Sequence, residues 1–480
     1  MFDTLPFLLL MPPITLDTPF GFSIDLSFWQ WFFSLPSLEA AKVLFALGGW
    51  TILFYILFKA GVELWVEYRQ KTKYMAKWQW VLLAVDVPAL FIQTPKAVEQ
   101  IFAHLSGAQV SCNIPEKFWR GKKQKWFSFE IISIEGYIQF LVRTEVEYRD
   151  LVEAAIYAQY TEAEITEVEE YVDSIPDRYP TAEYDIFGVE FQLAQNEAFP
   201  IRTYPSFEYK MGKDASVLSD PMAALLENFT RIGQGEDLWM HLLIEPTGNA
   251  WKEKGIAVVK EMMGQKAEHK ASIASTLLSF PQGLMSELMS AIAGPSEGDA
   301  PEEKKERKEL TPGMRGTVEA IEEKIAKLGF KSKLRVLYAA RKDVYNPSRC
   351  IDGFIGAVNQ FHIMNRNALV PYAITLSKYD KTQRKTLRLK NTFVKTFKKR
   401  KMRWKKSNGY VLNIEELATV WHFPLPFVKT PLLQKSGYKR AEPPSGLPVE
   451  AMENPLRKRG MGENKPVADE PAPPENLPYG

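Results

Sequence analysis

The chain has 480 residues, 46% of them hydrophobic and 25% charged, with a net charge of only +2. Those values are ordinary for a folded protein, exclude a wholly disordered or fibrous chain, and leave room for two or three domains. Two cysteines, Cys112 and Cys350, exclude a disulfide framework or a cysteine metal site and fit a reducing compartment.

In chain order, the first feature is an uncharged run, VLFALGGWTILFYILF, from Val43 to Phe58 between Lys42 and Lys59. Ala60, Gly61 and Val62 extend it toward the about 20 apolar residues that a spanning helix needs, so a transmembrane helix is expected over 41–62. Aromatic residues crowd both flanks: Phe28, Trp29, Trp31, Phe32 and Phe33 before it, and Trp65, Tyr68, Tyr74, Trp78 and Trp80 after it. No Lys or Arg precedes Lys42, whereas Arg69, Lys71, Lys73 and Lys77 follow the run. The positive-inside rule then places residues 1–40 outside and the bulk of the chain in the cytoplasm, as in a single-pass inner-membrane protein. Leu5–Leu10 lacks a basic n-region and is not read as a cleaved signal.

Residues 74–175 alternate clearly. Strand Trp78–Val85 precedes helix Lys96–Leu105, whose Val98, Ile101, Phe102 and Leu105 share one face. Strands Phe127–Ile134 and Tyr137–Arg143 meet at the turn pair Glu135-Gly136, followed by helix Glu147–Tyr160 and strand Glu164–Glu170. The order βαββαβ predicts a ferredoxin-like unit. Acids at Glu162–Asp177 read as a solvated strand edge that discourages aggregation.

A second α+β region is expected over 183–376. Its strands are Tyr184–Leu193, Ile201–Tyr204, Leu238–Ile244 and Lys333–Ala340. One helix starts at Asp220-Pro221, with Asp as cap and Pro at the first position. Another lies near Trp251–Met263, and a third follows Asn346-Pro347 with Ile351, Phe354, Ile355, Val358 and His362 inward. The overall expectation is an α+β chain: one transmembrane helix, two ferredoxin-like units, a basic arm with a short helix (377–440) and a disordered tail (441–480). A Met- and Leu-rich insertion at 267–311, ending in a charged run, reads as a linker within the second unit.

Residues 378–406 carry fourteen basic side chains against one acid, Asp380, so this stretch holds +13 and the rest of the chain −11. Its densest part includes Lys398, Lys399, Arg400, Lys401 and Arg403. Three readings stand side by side. The stretch binds nucleic-acid phosphates, with Phe397 and Trp404 stacking on bases; or it lies on the anionic inner leaflet to which the chain is expected to be tethered; or it is a solvated arm facing an acidic partner. After it, Asn413 and Glu416 have the spacing of a capping box, and Pro424 closes the short helix.

Catalytic signatures are missing from the sequence. There is no GxxxxGK[ST] loop, no GxSxG elbow, and no metal spacing among His104, His241, His269, His362 and His422. No catalytic, cofactor-binding or metal residue is assigned, and His241 and His362 read as core histidines.

Four segments taken together carry a resemblance: FEIISIEGYIQFLVRTEVEYRDLVEAAIYAQYTEAEITEVEEY (129–171), GQGEDLWMHLLIEP (233–246), FKSKLRVLYAARKDVYNPSRCIDGFIGAVNQF (330–361) and GYVLNIEELATVWHFP (409–424), followed by PPSGLP at 443–448. The chain resembles the N-terminal, membrane-anchored half of type IV secretion and conjugation-type ATPases of small-genome uncultured bacteria, over most of residues 40–448. In that family a RecA-like motor begins just beyond a segment like 409–448, and here the chain stops there. The resemblance therefore implies a non-catalytic, homo-oligomeric scaffold that recruits a separate secretion-type ATPase. The implied docking residues are Leu417, Val420, Trp421 and Phe423, which would otherwise pack on their own domain.

Overall fold

A computed structural model describes residues 15–17, 23–25, 32, 34–46, 50–88, 93–211, 215–218, 220–264, 311–377, 380, 382–404, 407 and 409–425. Leu5–Leu10, almost all of the 267–311 insertion, the 441–480 tail and the side chains of Lys378, Lys381, Lys405 and Lys406 lie outside the described residues. The chain divides into two units, one of residues 1–77, 112–123 and 263–309, the other of 78–111, 124–262 and 310–480.

The first unit holds an antiparallel pair, β1 (Thr15–Asp17) and β2 (Ser23–Asp25), and two helices, α1 (Ser37–Leu44) and α2 (Trp50–Arg69). The expected transmembrane helix does not form. The apolar run falls on two helices, and α2 carries Lys59, Glu63, Glu67 and Arg69. Its uncharged stretch, Trp50–Phe58, would cover about 14 Å at 1.5 Å per residue, roughly half a bilayer core. No helix among the described residues is long and apolar enough to cross a membrane. The single-pass topology, the inner-membrane location and the external N-terminus inferred from that helix fall with it. Near the end of α2 the chain returns at 112–123, where Trp65 Nε1 donates to the Phe118 carbonyl (3.2 Å) and Arg69 Nε to that of Trp119 (2.9 Å). Gly121, at φ 71°, allows this approach, because a Cβ there would stand 2.7 Å from the Arg69 backbone.

The second unit is built on strands β3 (Trp80–Asp86), β4 (Phe127–Ile134), β5 (Tyr137–Glu145), β6 (Glu164–Val168) and β7 (Tyr184–Leu193). After a small hairpin, β8 (Glu208–Met211) and β9 (Ala215–Leu218), come β10 (Glu236–Pro246), β11 (Gly329–Arg341), β12 (Leu369–Ile374) and β13 (Tyr410–Asn413). Nine strands form one antiparallel sheet in the order β12-β7-β11-β10-β4-β5-β3-β6, with β13 on β11 at Gly329–Ser332. This corrects the expected fold class. The strands of 74–175 and 183–376 do not form separate ferredoxin-like units behind a membrane anchor, because β4 pairs with β10 from Phe127↔Ile244 to Ile134↔Asp237. Glu135 (φ 53°) and Gly136 (φ 94°) make the β4–β5 turn that the sequence predicts.

The sheet buries both faces. One carries Phe127, Phe129 and Ile131 of β4, Leu238, Met240 and Leu242 of β10, and Leu334, Val336 and Tyr338 of β11. Five helices contribute to that core: α3 (Pro95–Leu105), α4 (Arg149–Tyr157), α5 (Pro221–Thr230), α8 (Gly353–Val358) and α10 (Ile414–Val420). Helices α6 (Ala250–Met262) and α7 (Pro312–Ala326) pack on each other, Gly255 lying against Ile325. The other face is covered by the 171–179 loop and α9 (Arg384–Lys398).

Two local expectations fail for identifiable reasons. Residues 201–204 are not a strand, because α10 takes their backbone donors: Ile201 N–H bonds Glu416 Oε1 (2.9 Å) and Tyr204 N–H bonds Thr419 Oγ1 (2.8 Å). The helix after Asn346-Pro347 shortens to a turn plus the six-residue α8, which leaves His362 beyond it and exposed. The Asp220 cap, accepting from Met222 N–H, and the Asn413–Glu416 capping box are both present.

Candidate functional site: the covered face and the basic groove of helix α9

Alternation along the strands puts four polar residues on the face beneath α9, each directly opposite the next. Glu130 (β4) pairs with His241 (β10), His241 with Arg335 (β11), and Arg335 with Glu190 (β7). All four are at most 1% exposed. Buried charges need partners, and the partners come from β11 itself, from Tyr171 and from the segment after β12. Arg400 grips Glu130 through Nε (3.0 Å) and Nη2 (3.1 Å), and its Nη1 donates to Glu170 (2.7 Å). Arg335 Nε and Lys333 Nζ both donate to Glu190, at 2.7 and 2.9 Å. The carbonyls of Lys401 and Ser407 accept from Arg335 and Lys333 respectively.

The Tyr171 hydroxyl donates to Glu130 Oε2 (2.6 Å) and lies 2.5 Å from His241 Nε2. Its single proton goes to the carboxylate, so His241 presents Nε2–H to the phenol oxygen. Phe397 stacks on the imidazole with ring centroids 3.8 Å apart. Burial would raise the Glu130 carboxyl, but the Arg400 guanidinium and the hydrogen bonds from Arg400 and Ser128 hold it down to about 2. Burial pushes His241 down to about 3 against the pull of Glu130, which keeps the ring neutral. The four groups have almost no exposed surface, so this cluster fastens α9 to the sheet and offers a substrate no access.

Above it, α9 divides its basic residues between two jobs. Phe393, Val394 and Phe397 turn inward with Trp404, and Gly188 makes room for Phe393: a Cβ there would lie 2.2 Å from its ring. Lys390 pairs with Asp185, and Lys398 pairs with Asp177 while also donating to the Ile175 carbonyl (2.7 Å). Arg384, Arg388 and Lys395 point outward and have no ion-pair partner among the described residues. Together with Asn391, Thr392 and Lys401 they line an open groove of about 900 Å³ that has no Asp or Glu in its wall. The opposite wall includes Tyr179, whose backbone N–H and C=O are both held by Asn391 (2.6 and 2.9 Å).

The five basic residues singled out by density are therefore divided. Arg400 is 1% exposed and Lys398 is tied inward; Lys401 is half-buried on the groove wall; Lys399 and Arg403 are exposed. Density missed Arg384, Arg388 and Lys395, although their spacing of four and seven opposite Phe393 and Phe397 is an amphipathic signal present in the sequence. The expected stacking residues Phe397 and Trp404 are buried at 0% and 2%. Leu417, Val420, Trp421 and Phe423, the docking residues, are all at most 5% exposed within the core of their own unit. Trp421 lies edge-on to Phe129 (4.8 Å), Phe140 (5.6 Å) and Phe423 (5.1 Å).

Fold and site thus describe an α+β protein whose antiparallel sheet carries a basic helix on one covered face. A family model described as Domain of unknown function (DUF8128) matches residues 93–435, and the chain belongs to that family. No curated protein matches the chain.

Proposed function

We propose that this protein is a nucleic-acid-binding protein, rather than an enzyme, and that it holds phosphates along the outward side of α9. One observation carries the reading: Arg384, Arg388 and Lys395 line an acid-free groove while their neighbours Lys390, Lys398 and Arg400 are neutralised internally. Exposed cations with no ion-pair partner among the described residues are ready to replace the counterions of a polyanion. Cations set in a row along one helix suit a rod-like polyanion better than a flat lipid surface. The lipid reading also drew on a membrane tether, and no described helix supplies one.

The test compares the full chain with the triple variant R384Q/R388Q/K395Q. All three side chains are exposed, so melting should not change. Binding to a fluorescent 24-residue DNA, offered in single- and double-stranded form, should weaken at least tenfold. Unchanged DNA binding overturns the proposal. So does preference for vesicles containing anionic lipid over DNA, which would assign the groove to membranes.

A further inference from the structure

The inward and outward sides of α9 also bear on which form of nucleic acid fits. We infer that the ligand is double-stranded and is held by its backbone alone, without base stacking or sequence preference; this rests on the nucleic-acid reading above. Single strands are gripped by alternating cations with exposed aromatic platforms, each stacked base contributing substantially to affinity. Here the aromatic residues described in the segment are spent on the core. Phe393, Phe397 and Trp404 are at most 2% exposed, and Tyr179, the aromatic residue of the groove wall, is 4% exposed. What faces outward is positive charge, and phosphate contacts position a duplex without reading its sequence.

Geometry supports the same conclusion. At 1.5 Å per residue, Arg384 and Arg388 are about 6 Å apart along the helix and Lys395 lies about 10 Å further. Lys399, exposed just past the helix end, continues the row by about 6 Å more. The row is fixed, because α9 is anchored beneath by Phe393, Phe397 and the Arg400–Glu130 pair. A fixed row of cations matches a polyanion whose own charges are regularly placed, as in a duplex, and gives little advantage with a flexible strand that must be ordered on binding. The row spans about 22 Å, which corresponds to about six or seven base pairs at 3.4 Å each.

The experiment uses the unmodified full chain and four labelled ligands: a 24-bp DNA duplex, each of its separated strands, and a duplex of scrambled sequence. The duplex should bind at least tenfold tighter than either strand, with the scrambled duplex within threefold of it. With three or four phosphates neutralised, log K should fall with log[salt] at a slope of about −2.7 to −3.6. A strand that binds as tightly as the duplex, or a scrambled duplex tenfold weaker, overturns the inference while leaving the nucleic-acid reading in place. Failure of every ligand to bind overturns both.

Discussion

Arg400 and Glu130, 270 positions apart in sequence, form a bidentate ion pair in which both side chains are at most 1% exposed. Arg400 holds a left-handed backbone (φ 43°) just past the end of α9. Its N–H bonds the Phe397 carbonyl, and the Lys401 N–H bonds that of Thr396. That pattern is a Schellman cap, in which the left-handed position is usually glycine. An arginine there costs about 1 kcal/mol of backbone strain. The residue that closes the helix is thus also the one that neutralises the central strand.

Arg400→Ala should therefore cost about 3–5 kcal/mol, because it leaves Glu130 charged and unpartnered in the interior. Chemical denaturation of the single variant measures this. The double variant E130Q/R400M should recover part of the loss, since it leaves no unpaired charge in the interior and keeps an acceptor for Ser128 and Tyr171. Equal destabilisation in both would mean that the pair is not the anchor.

Trp421→Ala should cost about 3–5 kcal/mol, as expected for removing a buried tryptophan. The ring is 1% exposed among Phe129, Phe140 and Phe423. A variant with unchanged melting would return this residue to the surface role that the family resemblance implies.

Asp86 supplies a pH dependence. It sits opposite Glu164 across the β3–β6 edge, and burial, with that like charge, raises its carboxyl to about 6 from 3.8. The folded state then holds a proton that the unfolded state has lost, so stability falls as pH rises from about 4 through 6. Asp86→Asn should raise stability by about 1–3 kcal/mol at pH 7.5 and have little effect near pH 4. Melting curves at the two pH values check this, and equal shifts at both would contradict it.

Much of the local structure was legible in the sequence. Alternation in Leu334–Ala340, the Glu135-Gly136 turn, the Asp220 cap and the Asn413–Glu416 box are short-range signals, and the structure contains each of them. The union of the two strand sets through β4 and β10 was not legible, because edge pairing leaves no periodicity in either strand alone. The apolar run at 43–58 misled for a different reason: the described helix that carries its second half goes on through Lys59, Glu63, Glu67 and Arg69, and a span needs about 20 mostly apolar residues on one helix. In the basic stretch, charge density was read where helical phase mattered. Arg384, Arg388 and Lys395 face out because Phe393 and Phe397 face in, and the ion pairs that occupy Lys398 and Arg400 come from Asp177, Glu130 and Glu170, over 200 residues away.

The outward face of α9 is the centre of this account, and the salt dependence of binding tests it most directly. Each phosphate contact contributes about −0.9 to the slope of log K against log[salt] on duplex DNA. Measured between 50 and 200 mM salt (roughly the range over which such contacts dominate), the slope for R384Q/R388Q/K395Q should be shallower than that of the unmodified chain by about 2.7. Parallel lines for the two proteins would contradict the account, because they would show that these three side chains touch no phosphate.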